Sequence, residues 1–123
     1  MTLIDDRETR SDTGDSAWTT ACPEARLAPN RGVGVLMADG SQVALFRLDD
    51  GSLHAVGNVD PCSGAAVMSR GIVGDRAGRA CVQSPIKKQA FAFDDGTCLD
   101  VPGVRLPVYR TRITDDGVVQ IAP

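Results

Sequence analysis

Four Asp-Gly dipeptides punctuate this chain, at Asp39-Gly40, Asp50-Gly51, Asp95-Gly96 and Asp116-Gly117, and they constrain its fold more than any other feature. Asp-Gly is the chemistry of tight hairpin turns: glycine accepts the positive φ such turns need, and aspartate bonds the backbone two residues on. The runs between them are short and apolar. "GVGVLMADGSQVALFRLDDGSLHAVG" therefore predicts a meander of three strands, and "VYRTRIT" with "VVQIAP" predicts a last hairpin. No segment sustains an apolar repeat at i, i+3, i+4 and i+7, although "SGAAVMSRG" allows a single helical turn ended by Gly71. The expected fold class is all-β, a small sandwich or barrel carrying a loop module at one end.

At 123 residues the chain suits one hydrophobic core. Residues 1–16 hold five acids (Asp5, Asp6, Glu8, Asp12, Asp15), two bases (Arg7, Arg10) and no large apolar residue after Ile4, so a flexible tail is expected there and a single domain over 17–123. The rest of the chain carries eleven residues of each sign and is neutral. With no basic excess and only five Phe, Trp and Tyr residues, nucleic-acid binding has no electrostatic support. No apolar run is long enough for a bilayer span, and "MTLIDDRETR" lacks the basic start and apolar stretch of a secretory signal. A cytoplasmic location without membrane contact is expected, and with it reduced thiols. Cys22, Cys62, Cys81 and Cys98 are spaced by 40, 19 and 17 residues, which draws no C-x-x-C knuckle. Cys22, Cys81 and Cys98 read as small hydrophobes.

Two loops carry the chemistry: "NVDPCSGAAVMSRG", Asn58 to Gly71, and "VQSPIKKQAF", Val82 to Phe91. Both resemble the ligand loops of a Rieske centre, in which two Cys hold one iron and two His the other. The Rieske loops have the forms C-P-H-x-G-x-x-L and C-P-x-H-G-x-x-F. Laid on the first, this sequence keeps Pro61, Gly64 and Val67 but puts Asp60 at the cysteine position and Cys62 at the histidine position. On the second it keeps Pro85 and Phe91, with Ser84 at the cysteine position, Lys87 at the histidine position and Lys88 at the glycine position. Asp60, Cys62, Ser84 and Lys87 cannot supply two thiolates and two imidazoles, so the resemblance implies a Rieske-like frame whose module, residues 58–93, has vacated ligand positions and no cluster.

The strings "NVDP", "VMSRGIV", "VQSPIKKQAFAFDDGTCLD" and "DGVVQI" together resemble the small subunit of the assimilatory NAD(P)H-dependent nitrite reductase, from about Trp18 to the C-terminus. That resemblance implies a partner, a large subunit holding sirohaem, a [4Fe–4S] cluster, FAD and the NAD(P)H site, which reduces nitrite to ammonia. This chain has no Gly-rich dinucleotide fingerprint and no cysteine set for a cluster, so it is expected to be the non-catalytic member. The alternatives are a Rieske-type [2Fe–2S] ferredoxin component of an oxygenase with unusual ligands, and a free-standing β-domain with an unrelated partner.

Other residues allow bland readings. His54, the single histidine, has no Ser or Cys placed as a nucleophile partner and reads as structural. Asp60 before Pro61 predicts an Asx turn, its carboxylate accepting loop amide hydrogens. Zinc is not expected, because the second loop offers only Ser84 and Lys87. Lys87 and Lys88 are either a solvated pair or docking contacts for the partner. Arg110 and Arg112 are expected on the solvent side of an edge strand.

Overall fold

The computed structural model describes residues 17–123, so the tail expected over 1–16 lies outside the described residues. Nine strands follow in order: β1 (Thr19–Pro23), β2 (Arg31–Leu36), β3 (Gln42–Arg47), β4 (Leu53–Gly57), β5 (Ile72–Arg76), β6 (Arg79–Gln83), β7 (Ala90–Ala92), β8 (Val108–Ile113) and β9 (Val118–Ala122). The expected meander is β2, β3 and β4, and the expected last hairpin is β8 and β9, all antiparallel. Each Asp-Gly glycine sits at positive φ, between 79° and 90°. Asp39 and Asp50 each accept a hydrogen bond from the serine amide two residues on, which is how these turns are locked. Glu24–Arg26 and Met68–Arg70 are 3-10 turns, the second ended by Gly71 as the sequence suggested.

The strands form a six-stranded sheet in the order β1-β9-β8-β4-β3-β2 and a three-stranded sheet in the order β5-β6-β7. Beyond β2 the Ala38 amide donates to Thr19 Oγ1 on β1 at 3.4 Å, so the two ends of the large sheet return toward each other and the barrel nearly closes. β3 decides how the layers stack. Its side chains alternate between faces: Val43 and Leu45 join Leu27, Ala55, Val119 and Ile121 inside the large sheet, while Ala44 and Phe46 join Met68, Val82, Phe91 and Phe93 beneath the small one. Both faces of β3 are buried, and that is why it reads as the run "VALF" rather than as an alternation.

One strand assignment needs correcting. β8 lies between β4 and β9, so Arg110 and Arg112 are not on an edge strand. Both guanidiniums cover the Trp18 ring, at 5.1 and 4.2 Å from its centroid, and Arg112 also donates to Gln120 at 2.7 Å. Their alternation reflects an aromatic partner just before β1, which periodicity within β8 could not reveal.

Candidate functional site

The small sheet and the loops leading into it bring the two candidate segments face to face. The first loop leaves β4 through Asn58, whose side-chain carbonyl accepts the Ser69 amide at 2.8 Å and whose backbone carbonyl accepts the Met68 amide at 3.0 Å. Between these anchors the chain turns through Asp60, Pro61, Cys62 and Ser63, with Gly64 donating to the Asp60 carbonyl at 2.7 Å. The second loop is closed on itself: the Ser84 amide donates to the Gln89 carbonyl at 2.9 Å and Lys88 donates to the Ser84 carbonyl at 3.1 Å.

Asp60 joins the two. Its side chain is fully buried, and both carboxylate oxygens are occupied. Oδ1 accepts the Cys62 amide at 2.8 Å, the expected Asx turn, and also Gln89 Nε2 at 2.8 Å; Oδ2 accepts the Ser84 hydroxyl at 2.6 Å. Ser84 Oγ in turn accepts the Ile86 and Lys87 amides at 3.2 and 3.4 Å. Burial works to raise the Asp60 pKa, but the hydrogen bonds from Ser84, the Cys62 amide and Ser63 outweigh it and hold the carboxyl below its ordinary value. A buried carboxylate with this many donors is ionised and tightly held.

Asp60 and Ser84, expected from the sequence at the two cysteine positions of a Rieske frame, are thus hydrogen-bonded directly to each other. Cys62 and Lys87, at the two histidine positions, are both exposed and line one recess. Lys88, at the glycine position, has φ 68°, the left-handed backbone that favours glycine. The donor set of carboxylate, thiol, hydroxyl and ammonium does not fit a [2Fe–2S] cluster, and Asp60 and Ser84 spend their oxygens on each other and on loop donors. Among the described residues, no group of three or more His, Cys, Asp or Glu side chains is arranged to hold a metal ion.

Two participants escaped the sequence reading. Gln89 is buried beneath Asp60, and Asp100 accepts the Ala90 amide at 2.8 Å and pairs with Arg76. Nothing local marks either residue; each becomes visible only when β6, β7 and the following loop are placed side by side. Of the remaining cysteines, Cys81 and Cys98 are buried and Cys22 is half-buried. Burial raises the Cys22 and Cys81 thiols above their ordinary values, consistent with inert packing. His54 stacks on Phe93 at 5.0 Å with Nε2 at 3.0 Å from Ser52 Oγ, and desolvation lowers its pKa despite the pull of Asp50 and Asp94.

Residues 17–122 match the family model of the Rieske-like [2Fe-2S] domain. The nitrite reductase (NADH) small subunit of Salmonella typhimurium is 37% identical over 107 residues, covering 86% of this chain and 97% of that protein. The chain belongs to the nitrite reductase small-subunit family. A crystal structure from Mycobacterium tuberculosis, described as an NADH-dependent nitrite reductase small subunit, superposes on 86% of this chain and 94% of its own with TM-score 0.84 and 74% identity. The family's sequence also occurs inside a longer chain: 83 residues, 68% of this chain, are 36% identical to a segment forming 8% of the nitrite reductase [NAD(P)H] large subunit of Klebsiella oxytoca.

Proposed function

We infer that this small subunit is non-catalytic: it binds the large subunit of an NAD(P)H-dependent nitrite reductase and supports the reduction of nitrite to ammonia there. One observation carries the reading. Asp60 and Ser84, which the sequence resemblance lays on the two cysteine positions of a Rieske domain, are hydrogen-bonded to each other and, through Asp60, to Gln89, a clamp that fixes the two loops against each other. Loops clamped in this way by a carboxylate, a hydroxyl and an amide suit recognition more than redox chemistry. The same donor set disfavours an oxygenase ferredoxin with unusual ligands.

The tip presents Lys87 and Lys88, both exposed. Docking through them favours an acidic patch on the large subunit and a salt-sensitive encounter. Sirohaem, [4Fe–4S], FAD and the nicotinamide belong to that partner in this reading. Among the described residues no helix is long and apolar enough to cross a membrane, and a cytoplasmic location is part of the proposal. The occurrence of a similar segment within a large-subunit chain supports the pairing, since fusion is one way of holding two such parts together.

The test is co-purification with a tagged large subunit at low and high ionic strength. A complex should form at low salt and weaken as salt rises. Absence of any complex, with both chains folded, overturns the reading.

A further inference from the structure

Between the clamp and the loop that follows β7 lies a recess of about 460 Å³, with Cys62, Arg76, Lys87, Lys88, Gln89 and Asp100 in its wall. Three cations against one carboxylate give the wall an excess of positive charge, while the chain from residue 17 onward is neutral overall. Arg76 is engaged with Asp100, whereas Lys87 and Lys88 have no ion-pair partner among the described residues. The recess is thus cationic where it meets solvent.

Gln89 forms part of the inner wall of the recess. It is only 5% exposed, and its Nε2 must face Asp60 because only the amide nitrogen can donate to a carboxylate. Its Oε1 is therefore fixed in place, and it is buried without a hydrogen-bond partner. A buried acceptor left unpaired costs free energy. Lys88 adds a second cost: a lysine occupies a left-handed backbone position, φ 68°, where glycine would sit without strain.

We propose that this recess is the docking point for the partner, receiving an acidic side chain of the large subunit whose carboxylate lies between Lys87 and Lys88. This rests on the subunit reading given above and adds to it the place and the chemistry of contact. The strain at Lys88 is then retained for its ammonium. Cys62, exposed in the wall of the recess, acts as a built-in reporter of its occupancy.

The experiment is alkylation with iodoacetamide of the full-length chain, alone and in complex with the large subunit, read at each cysteine by peptide mass spectrometry. Complex formation should slow labelling of Cys62 by about tenfold, because thiol reactivity follows access, with half-buried Cys22 as the internal reference. Lys87→Glu combined with Lys88→Glu should weaken binding by about tenfold or more at low ionic strength, and Lys87→Arg combined with Lys88→Arg should preserve it. If the complex forms while Cys62 reacts at its free rate, or if charge reversal leaves affinity unchanged, the recess is not the docking point, although the subunit reading stands. If no complex forms at all, both fall. If Cys62 is already shielded in the free chain and deletion of residues 1–16 exposes it, the chain's own acidic segment is the occupant and the proposal is overturned.

Discussion

Asp60 concentrates the energetics of the site. Its carboxylate is fully buried and accepts from Cys62, Ser84 and Gln89, so replacing it by Asn turns an NH2 donor toward groups that themselves donate. Asp60→Asn is expected to cost about 2–3 kcal/mol at neutral pH, in the range for a buried charge-assisted network that loses its acceptor; urea unfolding measures it. The sign of the pH dependence follows from the lowered pKa of the folded state. The Asp60 contribution is complete above the unfolded carboxyl pKa of about 4 and is lost as pH falls through the lower folded value. The gap in stability between wild type and Asp60→Asn should therefore narrow below about pH 4, and a gap that stays constant on acidification would show that ionised Asp60 contributes nothing. Lys88 predicts an opposition of another kind. Lys88→Gly relieves the left-handed lysine and should raise stability by about 1 kcal/mol, seen as a higher midpoint in the same urea series, while weakening large-subunit binding.

At the level of elements, the Asp-Gly punctuation made the hairpins of β2 to β4 and of β8 with β9 legible, because turn chemistry is local and glycine's φ is a property of one residue. The position of β8 was not legible, because alternating arginines look the same on an edge as they do against Trp18 across the neighbouring strands. β2 offers a paired test of how tightly the elements meet. A Cβ on Gly32 would lie 2.5 Å from the Ser69 carbonyl oxygen and 2.6 Å from the Phe46 ring, whereas a Cβ on Gly34, two residues along, would have Ser69 Oγ as its nearest neighbour at 3.9 Å. The Ser69 oxygen belongs to the 3-10 turn that anchors the first loop, and Phe46 is fully buried, so neither yields readily. Gly32→Ala should cost about 1–3 kcal/mol and Gly34→Ala less than about 0.5 kcal/mol. Equal thermal melts for the two variants would contradict the packing of β2 on this turn.

For the molecule as a whole, the candidate site was half legible. The loop strings placed Asp60, Cys62, Ser84 and Lys87 on a Rieske frame, and the Asx turn at Asp60 could be read from Asp60-Pro61 alone. What holds the loops together was hidden, because the Asp60 contacts to Ser84 and Gln89 span 24 and 29 residues and depend on the small sheet being in place. The frame is that of a Rieske-like domain, and the clamp of Asp60 with Ser84 and Gln89 ties its two loops together. An isolated chain of this kind should neither oxidise NAD(P)H nor reduce nitrite, which a turnover assay on protein freed of large subunit checks. The most direct test of the central claim is iron and sulfide analysis, with visible absorption spectroscopy, of the chain purified without oxygen from iron-replete cells. The clamp predicts a colourless protein without stoichiometric iron; two irons per chain with the absorption of a Rieske centre would contradict it.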